Sequence, residues 1–315
     1  MIHASTSDDV HAQADLLQGW NQSYVQLSAG PFAGTLVETK LEGVSVFAEY
    51  TSQMLLQKGS LAKDVVAVGI PVKMPGTAVF CGGQYSESAV YIFSGSHGFE
   101  FLSPAGLVMS GVVVCRKALF EVLTADERPL VAARLDRAHL ANVDGSTPTA
   151  MRDFIMAVLE LARTAQHIVS LVPLRQSLQQ SIVANLAQLL VNCAHGRDPV
   201  IRLARRWKIV LMAKDIALAP SAGPTGIADL CRALGVSRRT LQYCFHDVIG
   251  LSPVEFLRVV RLNGVRRTLR TAPSVTQAAA QWGFWHLGYF SRDYRKMFGE
   301  LPSQTFRRYQ KSKPS

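Results

Sequence analysis

Arg238, Arg239 and Gln242 stand at helical spacing around Leu241 and Phe245, so one face of a short helix would be cationic and amide-bearing and the other apolar. A guanidinium offers a fork of donors that matches the guanine edge, and a carboxamide pairs a donor with an acceptor as the adenine edge requires. Ser291, Arg292 and Arg295 hold the same relation to Phe290 and Tyr294. These side chains are suited to binding a duplex rather than to making bonds. Chemistry of the latter kind finds little support. There is no Gly-x-Ser-x-Gly elbow and no phosphate loop. A cupin-like enzyme fused to a DNA-binding domain would need several His residues with a carboxylate around a metal. His97 with Glu100 is the nearest approach, and Gly95-Ser96-His97-Gly98 reads as a turn. Cys81, Cys115, Cys193, Cys231 and Cys244 are too scattered for a zinc or redox motif and read as buried thiols. The reading is therefore not an enzyme: no catalytic residue, no metal and no cofactor.

The elements that position those side chains repeat. Ile227–Val236 resembles Val275–Phe284 at an offset of 48, and beyond the turn the offset becomes 49, so that Leu241 matches Phe290, Phe245 matches Tyr294, Gly250 matches Gly299 and Pro253 matches Pro302. Each copy has a short helix with a small residue inside (Cys231, Ala279), then a Gly for a tight turn (Gly235, Gly283). An apolar plug follows (Val236, Phe284), and then a second amphipathic helix. This predicts helix-turn-helix units over about 225–246 and 274–298. Two ordinary helical hairpins with solvated charges are the plainer alternative. Between the copies, Pro253–Arg270 reads as one long helix with Val254, Leu257, Leu262, Val265 and Leu269 on its apolar side. Arg266, Arg267 and Arg270 fall elsewhere and are candidates for phosphate contact. Arg261, inside the apolar arc, is expected to be paired and structural.

Charge is unevenly placed. Residues 201–315 carry 20 Lys and Arg against 6 Asp and Glu, whereas the first 200 carry 13 against 17. A polyanion partner is thus expected at the C-terminal end, although charge alone would also suit an anionic lipid surface. No run reaches the ~18 apolar residues of a membrane helix, and the N-terminus lacks a signal-peptide core. Membrane partners are not expected, and the expected location is cytoplasmic and nucleoid-associated.

Short β-segments are predicted at Thr35–Leu41, Val44–Tyr50, Val65–Ile70, Thr77–Cys81, Ala89–Phe93 and Leu107–Cys115, in the spacing of a small barrel or sandwich. Helical composition takes over at Arg116. Met151–Thr164 and Leu174–Cys193 carry apolar stripes that would pack in their own domain or form a dimer seam. A Gly and a Pro in the stretch 195–199 end the second stripe, placing the boundary at about 195–203. The expected fold is α+β. Residues 1–200 form a β-rich, barrel-like domain with following helices, and residues 201–315 form an all-α domain of two helix-turn-helix units joined by a long helix.

The stretch Gly283-Phe284-Trp285-His286-Leu287-Gly288-Tyr289-Phe290-Ser291-Arg292-Asp293-Tyr294-Arg295-Lys296-Met297-Phe298-Gly299-Glu300-Leu301-Pro302-Ser303 closely resembles the AraC/XylS family signature. Residues 235–242 are similar to that family's first recognition element, and Leu257-Arg258 with Arg261-Leu262 to its linker helix. The resemblance covers roughly residues 203–310. It implies a transcription regulator whose base-reading positions fall on Arg239, Gln242 and Tyr243, and on Leu287, Gly288, Ser291 and Arg292. His286, Arg238 and Arg295 complete the DNA-contact set. Leu287 and Gly288 lack side-chain donors, so most sequence discrimination is assigned to the first unit and the second is expected to lean on shape and phosphate. Around Gly30–Leu36 the chain more weakly resembles regulators of the ethanolamine-operon type. That likeness implies a sensing and dimerising N-terminal domain in an effector-responsive activator of a catabolic or metabolic operon. Its partners would be promoter duplex DNA, RNA polymerase, a second copy of itself and a small effector, an amine or amino alcohol. The effector residues are not assigned; Phe32, Phe47, Tyr50, Phe80, Tyr91, Phe93 and Phe101 are the aromatics near a pocket, each read first as core. A ligand-independent DNA-binding protein is the rival reading.

Overall fold

The computed structural model describes residues 2–84, 89–94, 98–143, 145–195, 203–219 and 225–311. The residues 95–97, with His97, of the expected turn and the residues 196–199 of the expected helix stop lie outside them. The chain divides into two compact units: Met1–Tyr24, Ala33–Ser52 and Leu56–Arg202 make the first, and Val25–Phe32, Gln53–Leu55 and Leu203–Ser315 the second.

The strands are β1 (Ile2–Ser7), β2 (Trp20–Gln26), β3 (Gly34–Leu41), β4 (Val44–Thr51), β5 (Leu55–Leu61), β6 (Val65–Lys73), β7 (Val79–Phe80), β8 (Gly83–Gln84), β9 (Ala89–Ser94), β10 (Phe99–Ser103), β11 (Leu107–Cys115) and β12 (His139–Asn142). They form a seven-stranded sheet in the order β1-β3-β4-β11-β6-β9-β12 and a five-stranded sheet in the order β2-β5-β10-β7-β8. Neither order returns to its first strand, so among the described residues the expected barrel is replaced by two open sheets. In the larger sheet the side chains alternate as the pleat requires. Val66, Val68, Val90, Ile92, Val112 and Val114 enter one core, whereas Ala67, Tyr91, Phe93, Leu107 and Met109 enter another.

Helices α1 (Val10–Ala14), α2 (Arg116–Val122), α3 (Glu127–Arg134), α4 (Thr147–Thr164), α5 (Gln166–Val169) and α6 (Val172–His195) complete this part of the chain. The stripe of α4 (Met151, Ile155, Val158, Leu159) and that of α6 (Ile182, Leu186, Leu189, Leu190) fill the first of those cores. Those residues therefore pack within their own unit, while Leu174 and Leu178 remain half-buried.

The aromatics near the expected pocket, Tyr50 apart, are buried. Phe80 meets Tyr91 at 5.2 Å and Phe93 at 4.9 Å, both edge to face, and Phe47 packs with Leu17 and Leu36. Phe101 is buried beside them, and Tyr50 is half-buried. A buried polar group sits close by. The Glu49 carboxylate accepts from Gln13 Nε2 at 2.9 Å and from Tyr24 Oη at 3.2 Å. Burial raises its pKa to about 7, although both hydrogen bonds act to lower it. The Tyr24 phenol is pushed up by burial and by Glu49 itself. Among the described residues no helix is long and apolar enough to cross a membrane, and no group of three His, Cys, Asp or Glu could hold a metal.

The second unit is helical: α7 (Ala204–Leu218), α8 (Ile227–Leu234), α9 (Arg238–Ile249), α10 (Pro253–Thr268), α11 (Val275–Gln281), α12 (Leu287–Phe298) and α13 (Pro302–Lys311).

Candidate nucleic-acid interface

Helices α8 and α9 form the first head. Helix α8 ends at Gly235, whose φ of 64° is the left-handed value that a β-carbon disfavours. Ser237 then caps α9, its Oγ accepting from Thr240 N at 3.1 Å. Leu241, Cys244, Phe245 and Val248 turn inward, which leaves Arg238, Arg239, Gln242 and Tyr243 exposed together. Arg239 Nη2 donates to Tyr243 Oη at 3.2 Å, and its guanidinium lies 5.5 Å from the Tyr243 ring centre. The sequence-predicted readers of this head are thus one contiguous surface.

The second head repeats the construction. Gly283 has a φ of 76°, Ala278 and Ala279 are wholly buried, and Phe284 packs on Phe290 at 5.1 Å. Helix α12 buries Phe290, Tyr294, Met297 and Phe298. Tyr294 Oη donates to Thr305 Oγ1 on α13 at 3.0 Å, and burial holds that phenol well above its ordinary pKa. His286, Leu287, Gly288, Arg292 and Arg295 are exposed and Ser291 is half-buried. Arg292 rests 5.2 Å above the Tyr289 ring, so each head parks one arginine on a tyrosine.

Helix α10 joins the heads. Ser252 and Glu255 cap it reciprocally: Ser252 Oγ accepts from Glu255 N at 3.3 Å, and Glu255 Oε2 from Ser252 N at 2.9 Å. The bonds from Ser252 hold the Glu255 carboxyl below its usual range. Phe256, Leu257, Val260, Leu262 and Val265 are its buried side. Val254, expected among them, is exposed because it lies in the first turn beside the capping residues. Arg261 donates to the Thr225 carbonyl, and Arg258 pairs with Asp293 of α12.

The expected phosphate contacts divide. Arg266 is 2% exposed, 2.9 Å from Glu300 and stacked 4.7 Å above Phe298. Its position on α10 faces α12, so it ties the helices together and is corrected to a structural residue. Arg270 is half-buried and lies 5.3 Å over the Tyr309 ring. Arg267 is exposed.

Two short N-terminal segments complete this unit. Gly30 N donates to Met297 O at 3.0 Å, and Gln26 Nε2 donates to the same oxygen at 3.0 Å and to Gly30 O at 2.8 Å. The carbonyl at the C-terminal end of α12, which its own helix cannot satisfy, is covered in this way.

Residues 230–308 match the family model described as a helix-turn-helix domain. These residues are a helix-turn-helix domain. The domain is similar to part of the probable thc operon regulatory protein of Rhodococcus erythropolis, 37% identical over 103 residues, which are 31% of this chain and 31% of that protein. It is also similar to part of the XylDLEGF operon transcriptional activator of Pseudomonas putida, 38% identical over 80 residues, 24% of this chain and 25% of that protein. The match thus spans at most about a third of these curated relatives. A crystal structure of a probable AraC family transcriptional regulator from Rhodopseudomonas palustris CGA009 is 37% identical, with a TM-score of 0.30, over 32% of this chain and 97% of that one.

The helix-turn-helix domain also exposes side chains that sequence reasoning passed over. Trp285 and Tyr289 are among its most exposed large side chains. Both fall in the variable part of the motif, where an aromatic reads first as core. Only their place, Trp285 just before α12 and Tyr289 in its first turn, ahead of the inward Phe290, marks them as surface.

Proposed function

We propose that this chain is a sequence-specific DNA-binding transcription regulator that reads a duplex with α9 and α12. The observation that carries this reading is the duplication itself. Two helix-turn-helix units, joined by one helix, each turn the second helix's polar and cationic face to solvent in the basic segment 201–315. A recognition helix enters the major groove in this manner. Arg239, Gln242 and Tyr243 read bases in the first head, with Arg238 beside them. Ser291, Arg292 and Arg295 serve the second, together with His286, Leu287 and Gly288, and Arg267 meets phosphate. Residues 201–315 carry this activity. Residues 1–200 sense a small effector and hold two copies together, the effector shifting the population of the DNA-competent arrangement. An effector-responsive activator of a catabolic or metabolic operon, working with RNA polymerase, is the role that suits the kinship with operon regulators. An amine or amino alcohol is the effector class suggested by the N-terminal likeness to ethanolamine-type regulators.

The test is selection of duplexes from a random pool by the full chain. We expect enrichment of one motif with two parts whose centres lie about one helical turn apart, ~34 Å. A pool that stays random, with binding that varies only with salt, would reject the reading. A thermal-shift screen of the full chain against small amines tests the effector class, because a ligand that binds only the folded state raises its stability.

A further inference from the structure

Leu287 and Gly288 stand at positions that the family resemblance assigns to base reading, yet neither side chain can donate. Their surroundings give this a meaning. Trp285 is 72% exposed, Tyr289 63% and Leu287 41%. Single exposed apolar residues are ordinary, but these three crowd into five positions at the leading end of a helix. Together with His286, Gly288 and Arg292 they line a surface depression of about 610 Å³. Gly288 adds an independent sign. A β-carbon built there would meet nothing within 4 Å, and its φ is not in the left-handed region. Neither packing nor backbone conformation demands glycine, which costs a helix ~1 kcal/mol relative to alanine. The remaining use of a bare backbone is close approach by another molecule.

The same helix identifies that molecule. Leu287, Ser291 and Arg295 fall at successive intervals of four along α12, Ser291 half-buried between two exposed side chains, with the exposed Gly288 and Arg292 beside them. The apolar end thus runs directly into a cationic strip, Arg292, Arg295 and Lys296, which suits a polyanion with apolar points on its surface. In a DNA major groove those points are the C5-methyl groups of thymine, which sit beside the O4 acceptor and set thymine apart from the other bases. We propose that the second head selects its half-site by thymine methyl groups, which Leu287 and Trp285 pack against while Gly288 lets the backbone close on the base edge. This rests on the DNA-binding reading above and gives this head a second source of discrimination beside Arg292.

The experiment needs no variant to begin with. Once selection has defined the preferred duplex, each thymine is replaced in turn by deoxyuridine, which lacks only the C5 methyl, and affinity for the full chain is measured. We expect a loss of about fourfold, the worth of one buried methyl group, at one or more thymines of the half-site bound by the second head. Leu287→Ala or Trp285→Ala should abolish the sensitivity at one thymine each; both side chains are exposed, and circular dichroism verifies the fold. Full affinity for every deoxyuridine duplex would overturn the proposal. So would variants that bind DNA as the parent does yet lose transcription in vitro, which would mark the patch as a protein contact. Should selection find no preferred duplex at all, the DNA-binding reading fails instead, and the two failures are thereby told apart.

Discussion

The Asn263 carboxamide on α10 closes a two-point hydrogen-bond clamp on the backbone of Gln26: its Oδ1 accepts from Gln26 N at 3.0 Å, and its Nδ2 donates to Gln26 O at 2.9 Å. The side chain thus acts as one residue of a β-ladder, with both amide functions in use. Asn263 is buried, so truncation would leave both backbone groups of Gln26 without this partner. Asn263→Ala is expected to lower stability by about 1–3 kcal/mol, measured as a reduced midpoint of urea unfolding. An unchanged midpoint would mean that water replaces the clamp at no cost.

Arg266→Ala should act on folding and not on phosphate contact. Losing one partner of a buried ion pair costs about 3–5 kcal/mol when the other charge stays uncompensated. Here Arg308 still reaches Glu300 at 2.8 Å, so the lower end is expected. The check is a urea midpoint that falls, with the slope of log affinity against log salt unchanged for the folded fraction. Arg267→Ala should do the reverse and flatten that slope by about one phosphate contact.

Gln242→Ala and Arg292→Ala should relax base preference at separate positions, each costing about 1–3 kcal/mol against the preferred base. Competition binding between duplexes that differ at one base pair reads this directly. Equal losses on every duplex would reassign those side chains to phosphate.

Glu49 makes the first unit's stability fall as pH rises. Its folded pKa, raised by burial to about 7, exceeds the ordinary carboxyl value of 4.5, so the folded state binds more protons between those limits. The penalty is absent below about pH 4.5, grows through the window and is complete above about pH 7, where it amounts to about 3 kcal/mol. Glu49→Gln is expected to stabilise the protein at pH 8 and to flatten its unfolding free energy between pH 4.5 and 7. A variant with the parent's pH profile would remove Glu49 from the account.

Local chemistry was legible in the sequence, and distant pairing was not. The heads announced themselves because a Gly at each turn and apolar residues at fixed offsets are constraints within one supersecondary unit. Six strands were found from β-branched runs and turns. The strands β1, β2, β5, β8, β10 and β12 left no such signal: Ile2–Ser7 and Trp20–Gln26 are polar-rich, Leu55–Leu61 contains Lys58 and Gly59, and β8 and β12 are only two and four residues long. Sheet closure depends on which strands pair at long range, and no periodicity records that. Arg266 shows the same limit. Its helical angle lies away from the apolar arc, but Glu300 and Phe298 lie more than thirty residues on and turn that side into an interior. Asn263 gave no sign at all, because its partner Gln26 is distant in the chain.

Gly264 on α10 leaves no room for a side chain. A β-carbon there would stand 2.4 Å from the Trp282 ring, whose Nε1 donates to Thr268 Oγ1 at 2.9 Å. The joining helix and the start of the second head are therefore fitted without slack, as a fixed gauge. In the DNA-binding reading proposed above, an operator whose two parts are a base pair out of step would meet a second head held firmly to the joining helix. Part of the misfit would then be taken up as twist and bend in the DNA, at a cost set by the stiffness of bases that no side chain touches.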